Sequence, residues 1–236
     1  MSELASSGVG VLAIWHDIDP EYEAEVIEWY NREHHFERVS TDGFRRSRRY
    51  VAVQGAPKYF IAYETESASV LSSQAYLERA NAPSPWSQRS MPHFKNNHRT
   101  VCNVVWRTRG ADGGFVATFR LEPLASFDQA AENKLFDYFQ ETVLNAAGIL
   151  KAQLWRADAD ASAIKTGDKA LRDHEDSHSA LAIILCGIDL PSLQAAVAEY
   201  LNTEVWRNLG LDGERVAAGY YVLQAALEKE HVETYR

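Results

Sequence analysis

Apolar positions along this chain fall into short runs with a period of two, separated by longer stretches in which they recur every three or four residues. Val9 to Trp15 is the first strand-like run, and a helix-like stretch follows from about Pro20 to His35. The pattern next predicts strands near Phe44 to Val53 and Tyr59 to Tyr63, a helix from about Ser67 to Ala80, and a strand from about Thr100 to Arg107. The same order then returns: strand Phe115 to Leu121, helix Phe127 to Ala147, strands Ile149 to Trp155 and Leu181 to Ile188, helix Leu190 to Leu209, strand Val216 to Ala226. A repeat of about one hundred residues is too long for a solenoid. It predicts an α+β chain made of two fused copies of one strand-helix-strand-strand-helix-strand module, at 1–110 and 111–236.

The first helix-like stretch carries the densest chemistry. Asp19 is placed to cap it, Pro20 suits its first position, and Glu21, Glu23 and Glu25 suit its positive end. Tyr22, Val26, Trp29, Tyr30 and Glu33 share one face. The stretch closes on Glu33-His34-His35-Phe36, where a helix C-terminus would favour a protonated imidazole and raise its pKa. His34 or His35 is therefore a candidate proton-transfer group, with Tyr30, Tyr50, Tyr63 or His93 as its complementary donor. Helix capping is the plain alternative. The second copy carries Leu144 to Gly148 at the matching place. The first copy is therefore expected to hold the site and the second to serve as scaffold, with Leu193, Val197, Tyr200 and Leu201 packing internally or forming a homodimer contact.

Trp29-Tyr30-Asn31-Arg32-Glu33-His34-His35, followed by Gly43-Phe44 opening a strand and Tyr59 to Glu64 as the next, resembles the EthD-type branch of the dimeric α+β barrel superfamily. Muconolactone isomerase-like proteins, small polyketide cyclases and antibiotic-biosynthesis monooxygenases are relatives in that superfamily. The resemblance covers residues 9–108 in motif and the second half in element order. His35-Phe36 departs from it, standing where a hydrophobic residue and proline usually follow the Glu-His pair. It implies two ferredoxin-like βαββαβ modules whose antiparallel sheets face each other as a dimeric α+β barrel. Joined to the helix-end histidines, it implies a cofactor-independent enzyme of lyase, isomerase or cyclase type, acting by acid-base chemistry on a small apolar molecule, aromatic or cyclic. The alternatives are a cofactor-free monooxygenase, or a non-catalytic small-ligand or haem-binding protein with His93 or His98 as axial ligand.

Other segments add candidates. Ala82 to His98 holds too many prolines for a helix and too many aromatics for a linker, and is expected to fold back at the cavity mouth, with Trp86, His93 or His98 as lid or second donor. Trp15 ends the first strand, as a substrate wall or as core. With Trp29, Glu33, Tyr50 and Tyr63, these complete the substrate-binding candidates, beside His34, His35, Tyr30 and His93 as catalytic ones. In Arg45-Arg46-Ser47-Arg48-Arg49-Tyr50, alternation puts Arg46, Arg48 and Tyr50 on one face, either gripping a carboxylate in a cavity or solvated at an edge. His174-Glu175-Asp176-Ser177-His178 matches the H-E-x-x-H zinc pattern in letters, but polar, glycine-broken flanks argue for a solvated loop and no metal site.

Composition narrows the remaining classes. With 236 residues and 46% hydrophobic content, the chain is long enough for a packed core. A net charge of -9 argues against a nucleic-acid partner. No apolar run approaches the ~20 residues that span a bilayer, and the start lacks a signal-like segment, so a cytoplasmic location without membrane contact is expected. Cys102 and Cys186 lie in strand-like runs as buried thiols. No phosphate loop, nucleophile elbow or dinucleotide fingerprint occurs, which favours chemistry without a cofactor on a small-molecule substrate.

Overall fold

The computed structural model describes residues 9–234. Its strands are β1 (Gly10–Ile18), β2 (Phe44–Gly55), β3 (Tyr59–Thr65), β4 (Phe94–Arg107), β5 (Phe115–Leu121), β6 (Ile149–Ala157), β7 (Leu181–Gly187) and β8 (Ala217–Glu228). They close into one antiparallel barrel in the order β1-β3-β2-β8-β5-β7-β6-β4. The strands of the first half run β4-β1-β3-β2 and those of the second run β8-β5-β7-β6, the same internal order. Two sheets were expected to face each other. Their edges are instead sealed by β2 pairing with β8 and β4 with β6, which leaves the barrel no free edge.

Helices cover the outside. α1 is a continuous helix of three stretches, Glu23–Trp29 (α), Tyr30–His34 (π) and His35–Ser40 (α). α2 (Gln74–Asn81) and α3 (Pro85–Ser90) complete the first half's cover. In the second half lie α4 (Gln129–Glu141), α5 (Ala159–Ala163), α6 (Leu190–Tyr200), α7 (Thr203–Asn208) and α8 (Lys229–Thr234). Among the described residues no helix is long and apolar enough to cross a membrane.

Alternation along the strands sorts side chains into three cores. Val11, Ala13 and Trp15 of β1 point into the barrel with Tyr50, Phe60, Val104, Trp155, Ile184 and Tyr221. Phe60 is the hub, stacked on Trp15 at 4.7 Å and on Tyr50 at 5.4 Å between ring centroids. Both cysteines are free and buried there. Leu12, Ile14 and Ile18 point outward to Val26, Trp29 and Tyr30 of α1. In the second half Leu154, Ile183 and Leu185 meet Leu135 and Phe139 of α4 and Leu193 of α6. That last layer contains Leu193 with Val197 and Tyr200 packed at its border, so these side chains are used internally.

Several local expectations are corrected. Asp19 does not cap α1: its Oδ1 accepts the Glu21 N–H at 3.2 Å within a turn, and the helix begins at Glu23. The helix does not end at His35 but runs on to Ser40. Pro85, read as a helix breaker, stands at the start of α3, where its missing N–H costs nothing, and the Ser84 side chain caps it. β4 begins at Phe94, six residues before the expected Thr100, so His98 is a strand residue. Helix Phe127 to Ala147 shortens to α4, and Leu190 to Leu209 breaks into α6 and α7 at Asn202, which caps the second piece.

Candidate functional site

The π-helical turn is what gathers the candidate side chains in the first half. In a regular helix consecutive side chains diverge by ~100° around the axis. Here the His35 N–H reaches back five residues to the Tyr30 carbonyl, and the widened turn lets Trp29, Tyr30, His34 and His35 all face the sheet. His34 and His35 are 6% and 5% exposed, so both face inward rather than one of them. Because they sit mid-helix, the C-terminal dipole does not act on them. Burial, followed by Arg38, lowers the His34 pKa, with Glu37 opposing; burial, followed by Arg49, lowers that of His35 well below its ordinary value. The expected upward shift is therefore reversed, and both rings are neutral at pH 7.

Their partners differ. His34 donates from Nδ1 to Glu37 Oε2 at 3.0 Å, which leaves Nε2, the lone-pair nitrogen, without a hydrogen-bond partner. The ring stacks on Trp29 at 4.2 Å and meets Tyr63 edge-on at 6.3 Å. His35 has both nitrogens engaged, with Arg49 Nη1 donating to Nε2 at 3.4 Å and Nδ1 donating to Ser47 Oγ at 2.5 Å. Tyr63 Oη is buried with no partner, and burial pushes its pKa up. Tyr30, also raised by burial, donates to His16 Nε2 at 3.3 Å, while His16 Nδ1 donates to the Asp17 carbonyl at 3.0 Å. Burial lowers the His16 pKa to about 4. Imidazoles held neutral beside phenols held protonated form a proton-transfer set.

His16 escaped the sequence reading, although its parity with Leu12 and Ile14 already placed it on the helix-facing side of β1. Trp29 Nε1 donates to Glu33 Oε1 and Ser87 Oγ, each at 3.2 Å, and Ser84 also donates to Glu33. Glu33 and Glu37 lie on a surface groove of about 850 Å³ between α1 and α2, and Glu37 separates that groove from His34.

The other candidates lie elsewhere. Trp15, Tyr50 and His98 belong to the barrel side of the sheet, not to the His34 layer. Trp15 Nε1 donates to Thr118 at 3.1 Å, a packed core role. His98 is held by Ser177 at 2.9 Å and lies edge-on to Trp15; burial lowers its pKa to about 3. His93 lies flat on Tyr22 with centroids 3.5 Å apart, and Trp86 packs against the first-half core from outside. These two do not join His34. Arg46, Arg48 and Tyr50 share a face as expected, but it is neither solvated nor open to a ligand. It lines a cavity of only about 40 Å³ at one barrel end, where Arg46 pairs with Glu64 and Asp112, and Arg48 with Asp112.

The segment carrying H-E-x-x-H is exposed, as expected, at Glu175, Ser177 and His178, but the residues before it are tied down. Among the described residues no cluster fit for a metal occurs, and His174 to His178 is not helical. Residues 158–178 instead fold across the first half's helical layer. Asp168 accepts from Arg38 Nη2 at 2.8 Å, its N–H donates to the Ala80 carbonyl, and Arg172 is buried close enough to act on His16 and Tyr30. Burial works against the Asp168 charge, but Arg38 and the Thr166 hydroxyl hold its carboxyl below the usual range. The second half is thus more than scaffold: this segment packs over the first half's candidate residues.

A cavity of about 580 Å³ also opens beside Thr100, Phe127 and Leu181 in the second half. Its charged groups are already committed, Glu122 to the Ala180 N–H and Arg156 to Glu132. Nearby hydroxyls are committed too, Tyr138 to the Tyr200 carbonyl and Tyr221 to the Pro57 carbonyl.

No family model matches the chain, and no curated protein matches it in sequence. Solved structures do match along nearly its whole length. An anthrone oxidase-like protein superposes with a TM-score of 0.61 at 10% identity, covering 96% of this chain and 95% of the other. A proposed monooxygenase from Lactobacillus acidophilus NCFM gives 0.58 at 8% identity, with 94% and 97% covered. A double variant of chlorite dismutase from Candidatus Nitrospira defluvii gives 0.56 at 13% identity, with 98% and 97% covered. These neighbours are dimeric α+β barrel proteins, and at such identities the likeness is one of fold.

Proposed function

We propose that this protein is an acid-base enzyme acting on a small aromatic or cyclic molecule between α1 and the outer face of β1–β3. The observation that carries this reading is the His34–Glu37 pair: a carboxylate fixes Nδ1–H and leaves Nε2 unengaged beside the unpartnered hydroxyl of Tyr63. His34 Nε2 takes a proton from an activated C–H. The electron pair moves onto the adjacent carbonyl oxygen, where Tyr63 O–H donates to the developing enolate. Return of the proton to a different carbon completes an isomerisation, and loss of a leaving group completes a lyase reaction. His35, with both nitrogens engaged, positions Arg49 and Ser47 rather than reacting. The reading treats residues 1–110 and 111–236 as two ferredoxin-like modules, supported by their common strand order, and assigns the chemistry to the first. Membership of the EthD-type branch rests on the motif Trp29 to His35 with Gly43-Phe44 and Tyr59 to Glu64 after it.

A second reading is supported by the names of two structural neighbours, an anthrone oxidase-like protein and a proposed monooxygenase. The same carbanion, once formed, would react with dioxygen as co-substrate. One experiment separates the two. A metabolite extract is incubated with the protein and with His34→Gln, in air and under nitrogen, and followed by mass spectrometry. The acid-base reading expects compounds consumed by the wild type in both atmospheres and spared by His34→Gln. Consumption in air only selects the oxygenase reading, and equal consumption by His34→Gln sinks both.

A further inference from the structure

We infer that the molecule held in this site is an organic anion, a small aromatic carboxylate, whose charge is received by Arg38, Arg99 and Arg172 beneath the lid formed by residues 158–178. The inference deepens the preceding reading and rests on it for where the reacting ring lies.

Arg38, Arg99 and Arg172 are 4%, 6% and 9% exposed, yet each keeps a buried N–H without a partner: Arg38 Nη1, Arg99 Nη1 and Arg172 Nε. Tyr63 Oη adds a fourth unpartnered polar group in the same layer. Buried polar groups of this kind are normally satisfied, and unsatisfied guanidinium donors are the costliest to leave so. The neighbouring carboxylates are already committed. Asp168 accepts from Arg38 Nη2, the Thr166 hydroxyl and the Lys169 N–H, and Asp176 accepts from Arg172 Nη2 and Asn97 Nδ2.

Tyr76 joins two of the cations, its ring lying 5.4 Å from Arg38 and its hydroxyl accepting from Arg99 Nη2 at 3.1 Å. The Arg172 charge also acts on His16 and Tyr30. Burial, with Arg99 adding to it, lowers the nearby Lys169 pKa to about 8. A singly charged planar carboxylate matches guanidinium forks, whereas a doubly charged phosphate would meet Asp168 and Asp176. The aromatic part is argued from the neighbouring rings, Phe44 stacking on Tyr76 at 5.9 Å and meeting Tyr63 at 6.2 Å.

The test is calorimetry and thermal melting with benzoate and 2-hydroxybenzoate, against benzamide and benzyl alcohol. The carboxylates are expected to bind once per chain and raise the melting temperature, with the neutral analogues weaker by about tenfold or more. Arg172→Met is expected to lose about tenfold in benzoate affinity, and Arg99→Met provides the same comparison should the first variant fail to fold. Arg172→Met also removes a partner of Asp176, and Arg99→Met one of the Tyr76 hydroxyl, so affinities are compared only in variants shown to be folded by circular dichroism. Benzamide binding as well as benzoate, no binding of either carboxylate, or unchanged benzoate affinity in the folded variants would overturn the inference. His34→Gln should bind benzoate normally. Arginine-dependent binding without His34-dependent turnover therefore removes the acid-base reading and keeps the anion site, and the reverse pattern does the opposite.

Discussion

His34 and Glu37 stand three residues apart on α1, with the imidazole Nδ1 donating to the carboxylate Oε2 at 3.0 Å and 8% of the His34 side chain exposed. Such an arrangement fixes the tautomer of a neutral histidine. Glu37→Gln should release it. The expected result in nitrogen-15 spectra is a single Nδ1–H tautomer for His34 in the wild type and a mixture in the variant, with turnover reduced by about 10- to 100-fold. A mixed tautomer already present in the wild type would contradict the pairing.

Stability should fall on mild acidification because of the buried histidines. The His16 pKa is lowered from 6.5 to about 4, so between those values the unfolded chain binds a proton that the folded chain refuses. Folding is therefore fully favoured above pH 6.5 and loses stability as the pH drops toward 4, by about 3 kcal/mol for this one group. His34 and His35, also lowered, act in the same direction. Urea midpoints between pH 7.5 and 4.5 should show the fall, and His16→Asn should flatten it. A wild-type midpoint independent of pH across that range would refute the assignment.

The lid should depend on one ion pair. Asp168→Asn leaves Arg38 buried without its carboxylate, and breaking a buried pair in this way costs about 3–5 kcal/mol. Limited proteolysis should then cut within 158–178 while the barrel stays intact by circular dichroism. Equal protease resistance in variant and wild type would mean that the segment is held by other contacts.

The barrel interior is expected to behave as packed core rather than as a ligand chamber. Phe60→Ala removes the ring shared by Trp15, Tyr50, Trp155 and Tyr221, at a cost of about 3–5 kcal/mol by urea denaturation. Phe36→Ala, on a side chain 43% exposed at the groove, should change stability by less than about 0.5 kcal/mol. Comparable effects of the two substitutions would place the ligand space in the barrel instead.

Much of this was legible along the chain, for a physical reason. Strand alternation and helical spacing are local, so the doubled element order, the shared face of Arg46, Arg48 and Tyr50, and the concentration of histidines in the first half could all be read from neighbours in sequence. The same locality explains the errors at Asp19, Pro85 and the end of α1, since a cap and a helix continuation compete with nearly equal turns until packing chooses between them. The π-turn at Tyr30–His34 leaves no such mark: its wider spacing is stabilised by what Trp29, His34 and His35 meet on the sheet. Only the closed barrel decided that Trp15 and Tyr50 would fill a core while Tyr63 faced the helices. The lid was equally hidden, because Arg38 and Asp168 are 130 residues apart and nothing short of the folded chain brings their charges to 2.8 Å. The sequence determined the elements and where the reactive residue types lie; the tertiary structure decided which of them share a water-poor layer, and there burial keeps the imidazoles neutral and the phenols protonated.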